Sequence, residues 1–284
     1  MKFGIIYNTG YYGTDPDRLI AIARHAEDCG FESFYVPEHI ALYPGATLGS
    51  APIPPSTPIA DPLECLSFVA AATSRILLGT GILLLPYHSP VVLAKRLSTI
   101  DLLSKGRMRL FTVGVGALPG EAQAAGVDFA TRGRRADEAL DVLRLLWGGD
   151  ENGVSFAGEF FSFRDLCSFP KPSGPAGLPI HVGGSSRAAA RRAGRRGDGY
   201  FAGGRLTPAE RAEQIEVMRA AARDAGRDDG ALEYTRWGST GMTAGDVEDY
   251  AATGVTRLVL GAGSLDLGEQ RAEISAFATR HGLG

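Results

Sequence analysis

The chain has 284 residues, 44% of them hydrophobic, with a formal net charge of −3 and a pI near 6.0. That length suits a single (β/α)8 barrel with a sizeable core, and the weakly acidic balance argues against general binding to nucleic acid or to an anionic membrane. The three cysteines, Cys29, Cys65 and Cys167, are odd in number and lack metal-type spacing, so they read as free or buried thiols of a reducing cytosol.

Met1–Tyr7 runs straight into a strand, Phe3–Tyr7, without a basic and then apolar leader. No signal peptide is expected, and the cytoplasm is the expected compartment. Leu19, Ile22, Ala23 and Ala26 share one helical stripe and predict a helix over Asp15–Cys29, stopped by Gly30. Glu32–Val36 reads as the second strand. Pro44–Pro58, rich in Pro, Gly, Ser and Thr, reads as a long mobile loop. Asp61 then caps a helix to Thr73, with Pro62 at its first position and Glu64 in capping-box register.

Ile76–Leu85 is the third expected strand, and the apolar run near Ile76–Pro86 is too short to span a bilayer. A helix over Pro90–Leu103, a fourth strand over Arg109–Val113 and a helix over Arg132–Trp147 follow. Val154–Phe163 alternates loosely around Gly158 and reads as an inserted hairpin. Pro170–Pro179 is a loop into the fifth strand, Pro179–Val182, after which Arg187–Ala193 begins a helix. Gly199–Phe201 is a short sixth strand and Pro208–Ala225 a helix. Leu232–Trp237, Val247–Ala252, Arg257–Leu260 and Glu269–Arg280 add strand, helix, strand and helix. About eight strand-then-helix units imply a parallel sheet. Within this length they favour a closed TIM barrel, one domain over 1–284, with an inserted hairpin and loop region.

In a barrel the chemistry gathers at the carboxyl ends of the strands. The second strand ends in Val36–Pro37–Glu38–His39. His39 can donate a proton to a bound substrate or take one from it, with Glu38 orienting it or lying on the surface. A hydrogen-bonded structural histidine is the plain alternative. The third strand carries Gly79–Thr80–Gly81–Ile82–Leu83, whose glycines read as a bulge, a ligand's close approach, or thinning for packing. Gly114 and Gly116 end the fourth strand without a dinucleotide fingerprint and read as a glycine-lined face for a flat ligand.

The fifth strand ends in Gly183–Gly184–Ser185–Ser186 directly before a helix. Backbone N–H groups and hydroxyls converge there at the positive end of a helix dipole, which makes an anion cradle. A plain turn with a serine cap is the competing reading. Arg187, Arg191 and Arg195 share one face of that helix, either as a solvated basic face, as a neutraliser of the anion at Arg187, or as a row that tracks an acidic extension of the ligand. Phe156, Phe160, Phe161 and Phe163 read as core or lid packing. His25, His88, His181 and His281 lack metal spacing, so no metal is expected, and neither a G-x-S-x-G elbow nor a P-loop occurs.

Taken in order, several stretches resemble the luciferase-like superfamily, and within it the oxidoreductases that use the deazaflavin coenzyme F420. They are Val36–His39, Ser74–Arg75–Ile76 through Leu78–Gly81, Leu93–Leu97 with Asp101 and Ser104, Val113–Gly116, Leu145–Trp147, Phe156–Phe160, Pro170–Pro172, Ile180–Ser185 and Gly197–Tyr200. The resemblance covers nearly the whole chain. It implies a flavin-type ring across the strand ends, with a cis peptide at Gly81–Ile82 forming a ridge beneath it. It places His39 beside the ring's reactive carbon and Gly183, Gly184 and Ser185 at the phosphate, in agreement with the cofactor-binding turn Gly183–Ser186 read from the residues alone. The segment Ala117–Gln123 departs from many relatives, and no catalytic acid is assigned in it. The reaction implied is hydride exchange between F420 and a small organic substrate. An FMN-dependent monooxygenase is the alternative, and a catalytically silent flavin-binding barrel a further one. A sugar-phosphate barrel enzyme would want a lysine or paired carboxylates at the strand ends, and the sequence shows no such pair. A homodimer is the assembly that the family leads one to expect.

Overall fold

The alternation of strand and helix closes into a ring. In the structure, a computed structural model that describes residues 1–174, 177–204 and 206–284, the barrel strands in order are Lys2–Ile6, Ser33–Val36, Leu77–Thr80, Met108–Gly114, Ile180–Gly183, Gly199–Phe201, Glu233–Ser239 and Arg257–Gly261. Each pairs in parallel with the next. The eighth returns to the first with Arg257 opposite Lys2. This is the closed (β/α)8 barrel expected from the alternation. Its expected extra hairpin is Val154–Ala157 against Ser162–Leu166.

Local signals set most helix starts. Asp15 accepts from the Asp17 N–H at 2.9 Å, and Asp61 accepts from Leu63 and Glu64 at 2.8 and 3.2 Å. The capping box expected at Glu64 is only half made, because its carboxylate goes to Arg96 of the next helix instead. Helix Pro16–Asp28 turns Leu19, Ile22, Ala23 and Ala26 inward. Burying a leucine or isoleucine there contributes about 1.5–3 kcal/mol each.

The third strand departs from expectation. It is not continuous over Ile76–Leu85 but runs Leu77–Thr80, breaks at Gly81–Ile82, and resumes as Leu83–Leu84 against the fourth strand. Two short helices, Thr9–Tyr12 and Pro119–Ala124, were not legible; each is too short to show a helical period. The Pro44–Pro58 stretch carries a small antiparallel pair, Thr47–Leu48 with Ala51–Pro52.

The barrel interior explains two glycines. Tyr35, Leu110, Phe201 and Val259 form a buried layer drawn from the second, fourth, sixth and eighth strands, the alternate-strand pattern of filled barrels. Tyr35 meets Phe201 edge-on with ring centroids 5.9 Å apart. A Cβ on Gly4 or Gly79 would lie 2.9 or 2.7 Å from the Tyr35 ring. Gly79 therefore answers to packing, and a register shift does fall between Leu78 and Gly79.

The amino-terminal face of the barrel holds an ion cluster. Arg257, 1% exposed, donates to Glu32 at 2.6 and 2.9 Å and to Glu233 at 2.5 and 3.3 Å. Burial pushes the Glu233 carboxyl up, but hydrogen bonds and charge from Arg257 outweigh it and bring the group to about 2. Burial, aided by the charge of Arg257, pushes His181 down to about 4. Both groups are depressed by folding, so both contribute stability that is lost on acidification. The loss through His181 falls between 6.5 and about 4, and that through Glu233 between 4.5 and about 2. Urea midpoints are therefore expected to fall from about pH 6.5 downward; an unchanged midpoint at about pH 5 would contradict the assignment.

Candidate active site

At the carboxyl ends of the first five strands lies one cavity of about 780 Å³. His39, Gly81, Ile82, Gly114, Gly116, Gly183, Gly184 and Ser186 all line it. Residues read separately from four places in the sequence thus share one space. Ser185 does not line it; its carbonyl accepts from the Gln214 amide and its side chain is exposed.

His39 is held by a residue that sequence reasoning passed over. Glu121, fully buried, sits in the short helix Pro119–Ala124 of the segment where no acid was assigned. Its Oε1 accepts from the Ile40 and Ala41 N–H groups at 2.6 and 3.3 Å. Its Oε2 lies 3.1 Å from His39 Nδ1. A carboxylate can only accept, so Nδ1 carries the proton and Nε2 is left for whatever enters the cavity. A Glu within the segment was the only signal available, and nothing local pairs it with a histidine 82 positions away.

Glu38 does not orient its neighbour. It is buried and turned the other way, accepting from the Leu84 N–H at 2.5 Å and from His88 Nε2 at 3.0 Å. Its own N–H donates to the Ile82 carbonyl at 3.2 Å. Glu38 thereby holds both sides of Ile82 against the second strand.

The Gly81–Ile82 peptide is cis. Ile82 forms the floor. A Cβ on Gly183 would lie 2.7 Å from Ile82 Cγ2, and one on Gly114 would collide with Ile82 Cδ1. These glycines admit Ile82 first and a ligand only above it. Gly116, at φ +78°, yields in the same way to the Tyr87 hydroxyl.

The turn read as an anion cradle spends part of its polar groups on the protein itself. Gly184 has φ +118°, a conformation open to glycine. Ser186 spends its hydroxyl as the helix cap, accepting from the Ala189 N–H at 3.1 Å, as the plain reading required. Helix Arg187–Arg196 then presents its first-turn N–H groups, that of Ala189 excepted, where Ser186, Ala188 and Ala189 line the cavity. Arg187 does not serve there, being paired with Glu213 at the surface. Two other arginines do line the cavity. Arg192 is paired with Asp137 at 2.6 Å. Arg132 donates to backbone carbonyls of Gly116 and Phe129. The hairpin phenylalanines lie outside the cavity, with Phe161 under Arg135 at 4.6 Å, which is the packing role read for them.

Among the described residues no group of three His, Cys, Asp or Glu side chains is arranged for a metal, and no helix is long and apolar enough to cross a membrane.

Fold and site together define a (β/α)8 protein in which an oriented histidine and a glycine–serine turn at a helix terminus line one cavity. The luciferase-like monooxygenase family model matches residues 1–280, and the chain belongs to that family. A protein of Mycobacterium tuberculosis is 36% identical over 192 residues, 64% of this chain and 65% of that protein. The chain thus spans less than two thirds of that relative's length. The F420-dependent glucose-6-phosphate dehydrogenase of Beutenbergia cavernae is 35% identical over 190 residues, 66% of this chain and 52% of that one. An F420-dependent secondary alcohol dehydrogenase, solved with an F420–acetone adduct, superposes with a TM-score of 0.82 at 19% identity, covering 98% of this chain and 97% of the other. The family thus includes F420-dependent relatives.

Proposed function

We propose that this protein is an oxidoreductase that exchanges a hydride between coenzyme F420 and a small organic substrate. The observation that carries the reading is the single cavity joining the helix terminus at Ser186–Ala189 to His39. The residues fit a flat, phosphate-bearing ring system. First-turn N–H groups and Arg132 would take the phosphate, and the floor of Ile82 with the bare edges of Gly114 and Gly183 would lie under the ring. When bound, such a cofactor supplies the hydride chemistry. The protein's part is to position the partners, exclude water, and hold or move a proton at His39 Nε2.

Fluorescence titration with F420 and with FMN tests the proposal. F420 is expected to bind; tight FMN binding without F420 binding would overturn it in favour of the flavin-dependent monooxygenase reading. Ala188→Asp gives a sharper second test. A carboxylate in the first turn suits the helix dipole, so folding is expected to be retained. It also places a negative charge in the cradle, so the cofactor Kd is expected to rise by about ten-fold or more. An unchanged Kd would remove that turn from the site.

A further inference from the structure

We infer that the substrate is uncharged and largely apolar, with its one polar group meeting His39; this rests on the oxidoreductase reading above. The cavity is divided by charge. Its fifth-strand end holds the helix terminus and the two guanidinium groups of Arg132 and Arg192. In a ring of eight strands the first lies opposite the fifth. At that opposite end the wall is Tyr11, Leu48, Pro52, Ile53, Pro54 and Ile59. No described residue lining this end is charged. Its polar members are Asn8, Thr57 and the Tyr11 hydroxyl, which donates to the Gly263 carbonyl at 3.3 Å. Asn8 spends its carbonyl as a helix cap on the Gly10 N–H at 3.0 Å, so what it offers a ligand is its NH2 group.

This wall is tied into the barrel. Thr9 Oγ1 accepts from the Ala60 N–H at 2.9 Å, and Tyr43 accepts from the Gly120 N–H at 3.3 Å. Gly10 makes way for the loop: a Cβ there would lie 2.7 Å from Thr57 Cγ2 and 3.1 Å from Ile59 Cγ1. The loop is therefore seated on residues of the first and fourth strand ends. A phosphate or carboxylate entering here would lose its water and meet no cation. A ketone or alcohol would lay its hydrocarbon on Ile53 and Ile59 and bring its oxygen to His39 Nε2 and the Asn8 amide. The anion-binding half of the mouth is left to the cofactor.

The test loads the protein with F420 and then titrates it calorimetrically with cyclohexanone, with menthone and with glucose 6-phosphate. The ketones are expected to bind tighter than the phosphate ester by about ten-fold or more. Ile53→Asp is expected to abolish ketone binding while leaving F420 affinity as it was, which also reports that the variant folds. Glucose 6-phosphate binding as tightly as the ketones, or ketone binding untouched by Ile53→Asp, would overturn this inference alone. Failure of F420 and FMN alike to bind would overturn the reading beneath it, and this inference with it.

Discussion

Replacing Arg257 by methionine is expected to lower the unfolding free energy by about 3–5 kcal/mol at neutral pH, as removal of one partner from a buried ion cluster does. The side chain is 1% exposed and bridges Glu32 and Glu233. Without it two carboxylates face one another across the barrel floor. Lys2 remains 2.6 Å from Glu233 and 3.6 Å from Glu32, but it is half exposed and screened by solvent, so it offsets little. The loss has a pH signature. Glu233 is held at about 2 by Arg257. The wild type therefore loses this contribution as pH falls from 4.5 toward 2, whereas the variant has none to lose. The gap between the two proteins is expected to narrow below about pH 4.5. Urea unfolding at neutral and acid pH measures both. A neutral-pH difference under about 1 kcal/mol would show that the cluster is not holding the barrel base.

The second large effect is at His39. Its removal as His39→Ala is expected to lower kcat by about 10²–10⁴, the range for loss of a positioned proton-transfer group. Cofactor affinity is expected to stay near that of the wild type, because the proposed anion cradle follows the fifth strand whereas His39 follows the second. Glu121→Gln separates position from presence. The glutamine carbonyl can still accept from the Ile40 N–H, but its NH2 group then faces His39 Nδ1. That nitrogen must become an acceptor and the proton moves to Nε2, so the imidazole presents the wrong tautomer to the cavity. A fall in kcat with an altered pH–rate profile and an unmoved cofactor Kd is the expected pattern. A Glu121→Gln enzyme with the wild-type pH profile would reduce the contact at 3.1 Å to scaffolding.

Much of the resemblance in sequence traces to joints of the scaffold rather than to chemistry. Glu27 gathers the N–H groups of Ser74, Arg75 and Ile76 at 3.0, 2.6 and 2.7 Å. Asp101, wholly buried, accepts from Met108 and Ser173 at 3.2 and 2.7 Å and from Arg109 at 3.2 Å. Asp198 takes the Ile180 N–H at 2.9 Å and Arg144 at 2.8 Å. Each of these carboxylates satisfies backbone groups where a strand meets a loop, and a buried N–H left unpaired is costly. The stretches Ser74–Ile76, Ile180–Ser185 and Gly197–Tyr200, which carry part of the resemblance, hold groups of these joints.

The readings that failed share one cause. Arg187 and Arg192 stand five residues apart on one helix. The sequence offered no reason to prefer the second, yet Asp137 of the neighbouring helix holds Arg192 at the cavity while Glu213 holds Arg187 outside it. Glu38 stands next to His39 and looked like its partner. Adjacent residues at a strand end point to opposite sides, so Glu38 turned to His88 instead.

What the sequence determined by itself is what depends on neighbours in the chain. The alternation of strand and helix, the caps at Asp15 and Asp61, and the glycine–serine turn before helix Arg187–Arg196 rest on local periodicity and on one turn of backbone geometry. What the tertiary structure decided is what meets at the mouth. Closing the ring brought Glu121 to His39, Ile82 into the space left by Gly114 and Gly183, and the Leu48–Ile59 wall into one cavity with the Gly183–Ser186 turn. Those contacts join strand ends far apart in the chain, and only closure of the barrel sets their separation.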